Sequence, residues 1–581
     1  FSMETKAKAK QPGPFLLACG RNIHGELGIG RTQAGNSVNE TNPMSSEEKK
    51  LEPKPKPKPK PNPSDTSALD EELFDMIIDE KKNTKNSNKI AAQPKGDGTK
   101  PKEKFNISAS SSSTSSSHGK SILVPTQLKQ TPENVQQISS GHYHCAVIGR
   151  KNMMYSWGGD SSGQCGHGRA INQYQPRWVM AITGKNVSEI ACGRTHTLIV
   201  ASGEVYSWGA SAYGALGLEE NNFDQLNPTK VGLLSRIAVK QVACGADHSL
   251  ALSTSGDVYS WGRAENGRLG NNCPKGTIYD YVPRQINSFS SKVASVCCGY
   301  AHSLCVMENG SLYAWGSNQW GQLGLRDRQP RYSPLKVKIE SPYGEFSRLA
   351  INEVSAGSNH SLAVVLYFNV HKGEVKTRVL SWGLNNFGQL GLGIWKGKGE
   401  VPLCMSPTPI PQLDQFNNSK NASIFAADSV KCGGNHTIVL CKGVCLGFGN
   451  NSYGQLGMGD TNDRHKPTLI QNLKQYHIDK VALGAWHSVF LTGNASNEQT
   501  QHMWVPQPTA SSQTNNHTTA TPKPARPHIQ SKVPLIPRQP RQSSSGLLAS
   551  LLSGSGLAMC TGGGRKGSSG GKPPPPKRHT R

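Results

Sequence analysis

Cys192-Gly193-Arg194-Thr195-His196-Thr197-Leu198-Ile199-Val200 leads into Gly203-Glu204-Val205-Tyr206-Ser207-Trp208-Gly209 and then Gly214-Ala215-Leu216-Gly217. The order is a G-x-x-H element, a β-rich run, a glycine turn, a second β-rich run ending in Trp-Gly, and a G-x-L-G knot. β-Branched and aromatic residues suit both runs to strands. Glycine supplies the positive φ that a tight hairpin turn needs. A unit of this kind that recurs decides the fold before any local detail does.

It does recur. G-x-x-H starts at Gly141, Gly193, Gly245, Gly299, Gly357, Gly433 and Gly484, which is seven copies. The hairpin end follows as Trp157-Gly158, Trp208-Gly209, Trp261-Gly262, Trp315-Gly316, Trp382-Gly383 and Phe448-Gly449, which is six. The seventh hairpin end stands near the other end of the sequence, in Phe15 to Gly20, followed by Gly25-Glu26-Leu27-Gly28. Joining Gly484–His487 to that segment completes one more unit. The spacings from His144 through His196, His248, His302, His360, His436 and His487 are 52, 52, 54, 58, 76 and 51. A period near 50 suits a four-stranded propeller blade. A blade cannot bury its faces alone, so the ring closes only when the last blade meets the first. The expectation is an all-β, seven-bladed propeller over residues 122–492, closed by an N-terminal strand within 15–30.

These residues resemble the regulator-of-chromosome-condensation repeat family, over residues 15–30 and 122–492. The resemblance implies a seven-bladed propeller, in agreement with the count. It also implies a range of roles, because the family includes the exchange factor for the small GTPase Ran, which docks on nucleosomes, as well as scaffolds, ubiquitin-ligase segments and a plant UV-B photoreceptor. Fold alone does not choose among them.

The formal charge is +25, and its location is informative. Residues 493–581 carry +10, residues 31–121 carry +3 and residues 1–14 carry +2, so the propeller carries the remaining +10. Basic tails supply what an electrostatic contact to DNA or a nucleosome needs. They serve equally as solvated linkers or import signals. Arg565-Lys566 and Lys577-Arg578 fit a nuclear chain, and nothing in them excludes a cytoplasmic one. No run of 18 apolar residues occurs, so no membrane span is expected, and no secretory signal opens the sequence.

Residues 31–121 interrupt the first blade connection. Pro53-Lys54-Pro55-Lys56-Pro57-Lys58-Pro59-Lys60-Pro61 reads as a stiff polyproline II segment, and the Ser/Thr run at 108–117 reads as disordered. Between them, residues 67–80 place Leu69, Leu73, Met76 and Ile77 on one helical face, with Asp70, Glu71 and Glu72 in the first turn. Such a short acidic helix docks in a partner's groove or packs on the propeller itself. Residues 1–14 are a short extension. Residues 493–581, rich in Ser, Thr, Pro, Gln and Gly, are expected to be a disordered basic tail.

The chain has 14 cysteines and no C-x-x-C metal pattern. Cys192, Cys244, Cys298 and Cys432 precede the repeat glycine, as Cys19 does in the closing segment, and this register suggests small buried core residues. The seven repeated histidines belong to different blades, so they are read as structural groups bonding neighbouring loop backbone and not as metal ligands, which would have to converge on one ion. The Trp-Gly tryptophans are read as blade packing. No cofactor is expected. No P-loop, Ser-His-Asp arrangement, H-E-x-x-H or ubiquitin-ligase segment occurs, so no covalent catalysis is expected.

The positions between Gly and His vary: His142-Tyr143, Arg194-Thr195, Ala246-Asp247, Tyr300-Ala301, Ser358-Asn359, Gly434-Asn435 and Ala485-Trp486. Shared core demands would make them alike, so they are expected to be exposed loop tips on one face. The partner-binding candidates are Asp247, Arg194, Tyr143, His142, Tyr300, Asn359, Asn435 and Trp486. The family resemblance implies that an acid directly before the third histidine contacts the GTPase, and Asp247 matches it in type and register. One departure counts against exchange: the wedge that the Ran exchange factor carries between its second and third loops has no counterpart in Trp208 to Gly217, which has the ordinary length. Two readings stay open: a propeller that binds a Ran-like small GTPase, with or without exchange activity, and a non-catalytic protein or chromatin scaffold.

Overall fold

The computed structural model describes residues 14–30, 121–218, 223–341, 348–393, 402–414 and 426–493. They form seven four-stranded antiparallel sheets, the blades of a propeller. Blade 1 is Gln137–Ser140, His144–Ile148, Met154–Gly158 and Gln173–Trp178; blade 2 is Val187–Cys192, His196–Ala201, Glu204–Gly209 and Gln225–Lys230. Blade 3 is Val239–Cys244, His248–Ser253, Val258–Arg263 and Tyr279–Gln285; blade 4 is Val293–Cys298, His302–Met307, Leu312–Gly316 and Arg331–Lys336. Blade 5 is Arg348–Ala356, His360–Asn369, Glu374–Leu384 and Leu403–Pro409; blade 6 is Ser429–Cys432, His436–Cys441, Val444–Gly449 and Arg464–Leu469.

Blade 7 is the closure. Its order is Ser121–Gln127, Leu16–Arg21, His487–Thr492, Ile478–Leu483. Leu16 pairs with Leu491 and Gly20 with His487, while Leu17 pairs with Gln127 on the outer side. Alternation along the strand then divides the core. Leu16 and Ala18 pack toward blade 1 with Trp157 and Val147. Leu17 and Cys19 pack toward blade 6 with Ile438 and Leu440. The outer strand begins at Ser121, one residue inside the segment read as insert. The helix read at 67–80, the rest of the insert, residues 1–13 and the tail from 494 lie outside the described residues. Among the described residues no helix is long and apolar enough to cross a membrane.

Each blade packs between two neighbours, so the strand that begins at the repeat histidine is buried on both sides; His248–Ser253 is buried at every residue. Between blades 2 and 3, for example, Leu198, Val200 and Val205 meet Val239, Val242, Ala251 and Trp261. Full burial of a side chain of this size contributes roughly 1.5–3 kcal/mol.

A polar clamp repeats inside this core. The Nε2 of His144 lies 2.8 Å from Thr197 Oγ1 in the next blade, and Thr197 Oγ1 donates to the Gln164 carbonyl at 2.8 Å. The same knot carbonyl accepts from Trp208 Nε1 at 2.9 Å. His196–Ser249, His248–Ser303, His302–Ser361, His360–Thr437 and His436–Ser488 repeat the pair at 2.9–3.1 Å. Because each hydroxyl spends its proton on a carbonyl, the imidazole must donate, which fixes the Nε2–H tautomer. The ring's other edge lies against the repeat glycine: a Cβ on Gly193 would stand 2.3 Å from His196 Cε1. The G of G-x-x-H is therefore a packing requirement. All seven repeat histidines are buried, and the expected partner is corrected: for six of them it is a side-chain hydroxyl of the following blade, and for His487 the thiol of Cys145, not neighbouring loop backbone.

The cysteine expectation is also corrected in part. Cys19 is buried in the blade 6–7 core. Cys192, Cys244, Cys298 and Cys432 end the innermost strands, where they line a cavity of about 160 Å³ on the propeller axis; Cys192 is buried, and the other three are half-buried against the interblade cores.

Candidate partner-binding face

The seven G-x-x-H loops converge around the axis at one end of the propeller. Backbone hydrogen bonds link them from blade to blade: His142 N to Gly193 O, Arg194 N to Ala246 O, Ala246 N to Tyr300 O, Tyr300 N to Gly357 O, Ser358 N to Gly434 O and Gly434 N to Gly484 O, all at 3.0–3.3 Å. The inner strands narrow toward the axis, so the loops lean on one another. The expectation of exposed tips is therefore corrected. His142, Tyr143, Arg194, Tyr300, Asn359, Asn435 and Trp486 are half-buried, and Asp247 is only 3 % exposed.

Two clusters form on this face. One is aromatic. His142 stacks on Tyr300 with centroids 5.6 Å apart, and Tyr143 lies 5.7 Å from Trp486. His24 meets Tyr143 edge-on at 5.6 Å. The Arg21 guanidinium sits 4.8 Å over the Trp486 ring, a cation–π contact. Burial, with Arg194 nearby, pushes the His142 pKa down to about 4, so this ring is neutral at physiological pH.

The second cluster is charged. Asp247 Oδ1 accepts from Arg194 Nη2 at 2.9 Å and Nε at 3.2 Å, and Asp247 Oδ2 lies 3.7 Å from Arg263 Nη1. Burial alone would raise the Asp247 pKa; Arg194, Arg268 and Arg263 outweigh it and hold the carboxyl below its ordinary value. Arg263 pairs with Glu265 and covers the Tyr213 ring at 4.6 Å. Beside this cluster opens a cleft of about 390 Å³ whose wall includes Arg263, Arg268, Tyr300 and Asn359.

The structure thus brings Arg194 to Asp247, and His142 and Tyr143 to Tyr300 and Trp486. Asn359 joins Tyr300 at the cleft, and Asn435 belongs to neither cluster. Arg21, His24, Arg263, Glu265 and Arg268 were missed because they lie outside the G-x-x-H loops. The sequence does hold a signal for two of these neighbourhoods. The knot position is Gln at 164, 322, 389 and 455 and Glu at 26, but Ala215 and Arg268 on either side of Asp247.

The RCC1-like domain description matches residues 108–370, and the regulator of chromosome condensation (RCC1) repeat matches residues 377–440 and 442–491. The ultraviolet-B receptor UVR8 of Arabidopsis thaliana is 32% identical over 374 residues, covering 64% of this chain and 77% of the receptor. The chain belongs to the RCC1 repeat family. The secretion-regulating guanine nucleotide exchange factor of Bos taurus is 27% identical, covering 64% of this chain and 79% of that protein. The serine/threonine-protein kinase Nek9 of Mus musculus is 25% identical over 403 residues, and the chain spans only 38% of that relative's length. Among solved structures, Prp20p of Saccharomyces cerevisiae superposes with a TM-score of 0.57 at 18% identity, covering 84% of this chain and 94% of that one. That agreement concerns the RCC1 fold.

Proposed function

We propose that this RCC1-type propeller is a non-covalent regulator whose G-x-x-H face binds a small GTPase, with guanine-nucleotide exchange as its activity. The observation that carries the reading is Asp247: a carboxylate directly before the third repeat histidine, kept ionised by Arg194 and its neighbours. The exchange factor of Bos taurus supports it as a relative of similar extent. Prp20p, described with binding to Gsp1p and histones, supports it at the level of the fold. Exchange needs no covalent step. A face that binds the nucleotide-free GTPase better than the loaded form lowers nucleotide affinity by linkage.

A second reading, a protein or chromatin scaffold, is favoured by two observations. Asp247 is already paired within the face. The segment from Trp208 to Gly217 has ordinary length, with a single short turn at Ala212–Gly214. In this reading the basic residues of 493–581 add a DNA or nucleosome contact in the nucleus, or the propeller serves a cytoplasmic complex.

The test mixes purified full-length protein with a panel of small GTPases loaded with fluorescent GDP. Accelerated release by one of them supports exchange. Unchanged release across the panel, with DNA binding that weakens steeply with salt, favours the scaffold.

A further inference from the structure

The knot position of blade 3 departs from its counterparts in a way that changes its chemistry. In four other blades a glutamine there accepts a hydrogen bond from the backbone N–H two residues earlier, at Ser162, Trp320, Phe387 and Tyr453, at 2.9–3.0 Å. Arginine has no acceptor to offer. Arg268 instead donates from Nε to the Glu265 carbonyl at 2.9 Å, and the residue is part of the lining of the 390 Å³ cleft. There the side chain is 3 % exposed, and its Nη1 has no hydrogen-bond partner among the described residues.

The charges around it do not balance. Asp247 is held by Arg194 and Arg263, and Glu265 by Arg263, while Arg268 makes no ion pair among the described residues, which leaves its positive charge in excess. Burial first, and then repulsion from Arg263, push the Arg268 pKa down to about 10, in the direction expected of a cation without its counter-ion. A buried guanidinium with an unused N–H is a site for an anionic oxygen. One excess charge matches a monoanion. Glu265 on the same wall opposes a dianion such as a phosphomonoester. Tyr300, Ile278 and Tyr332 add apolar surface to a cleft whose lining is otherwise mostly polar, and its volume exceeds that of a free carboxylate ion.

We propose that the Arg268 cleft is a carboxylate-binding pocket that takes an aspartate or glutamate side chain, with an adjoining apolar residue, from a protein partner. The proposal rests on the reading of this face as protein-binding, but not on the partner being a GTPase, so a failed exchange assay leaves it standing.

The probe is a short fluorescein-labelled peptide with a central Glu-Phe-Glu, titrated against the full chain by fluorescence anisotropy. Versions with Gln-Phe-Gln and with phosphoserine in place of glutamate accompany it. Arg268→Gln restores the amide of four other knots and is expected to keep the fold, which a melting curve checks. The expected result is that Arg268→Gln and the Gln-Phe-Gln peptide each weaken binding by at least about tenfold, while Glu265→Gln strengthens it by removing the competing charge. Equal binding by the wild type and a folded Arg268→Gln overturns the pocket. Equal binding of the Gln-Phe-Gln peptide overturns the carboxylate, and tighter binding of the phosphoserine peptide overturns the monoanion assignment.

Discussion

Cys145 Sγ lies 3.0 Å from His487 Nε2 across the seam where blade 7 meets blade 1. At the other six blade junctions the histidine faces a serine or threonine hydroxyl, which passes its own proton to the knot carbonyl. Here a thiol takes that place, with Sγ 3.5 Å from the Glu26 carbonyl. A thiol is a weak donor and a weak acceptor. The closing seam therefore carries the weakest clamp. Cys145→Ser is expected to raise stability by about 0.5–1.5 kcal/mol, read as an increase in the urea midpoint with unchanged slope. A lower midpoint would mean that the sulfur's bulk matters more than the hydrogen bonds.

That clamp shows how far the sequence could be read. The repeat period, the seven blades and the split blade were all legible, because each repeat shows the same punctuation of Gly, His and Trp-Gly. The histidine's partner was written there too, as the residue after each histidine: Thr197, Ser249, Ser303, Ser361, Thr437 and Ser488, with Cys145 as the exception. It was missed because each repeat was read within itself, whereas the bond runs from one repeat into the next. The burial of Asp247 was not legible. It depends on how the loops lean together at the axis, and loop variability alone does not distinguish a buried ion pair from a solvated tip.

Stability is expected to fall as pH drops below about 6.5, the ordinary imidazole value. Burial lowers the histidine pKa to about 3 at His144, His302, His360, His436 and His487, to about 4 at His196, and well below the ordinary value at His248. The unfolded chain takes up these protons and the folded chain does not, so acid favours unfolding. Each ring contributes up to about 1.4 kcal/mol per pH unit. Asp160, raised to about 7 by burial, and Glu26, Glu189 and Asp463, also raised by burial, act in the opposite direction, against the seven repeat histidines together with His24, His142 and His167, whose pKa burial likewise lowers. Urea unfolding at pH 7.5 and 5.5 should show a large fall in midpoint, with net proton uptake on unfolding. A midpoint unchanged over this range would refute the buried neutral histidines.

Deleting residues 15–30 removes the strand that Ser121–Gln127 and His487–Thr492 both pair with. The deletion also strips Leu16, Leu17, Ala18, Cys19 and Leu27 from two interblade cores. The remaining edge would expose unpaired backbone, which promotes association. The deleted protein is expected to lose cooperative unfolding or to aggregate, as read by calorimetry and light scattering. A sharp transition at the wild-type temperature would contradict closure by this strand.

Asp247→Ala tests the face at its centre. Removing an exposed loop carboxylate changes stability by less than about 0.5 kcal/mol. Asp247 is not exposed: its side chain is 4% accessible and holds Arg194, itself 17% accessible, with Arg263 on the other oxygen. Truncation leaves these arginines and Arg268 facing one another without their shared anion. Breaking a buried pair from one side costs about 3–5 kcal/mol, so the variant should melt well below the wild type. Asp247→Asn keeps the shape and removes the charge, so it should fall with Asp247→Ala if charge is what matters. Partner binding is then compared per folded molecule, at a temperature where both variants remain native. Loss of binding on that basis assigns Asp247 to the interface as well as to the cluster. Unchanged binding confines it to holding the arginines in place, and an unchanged melting temperature would remove the ion-pair cluster from the account altogether.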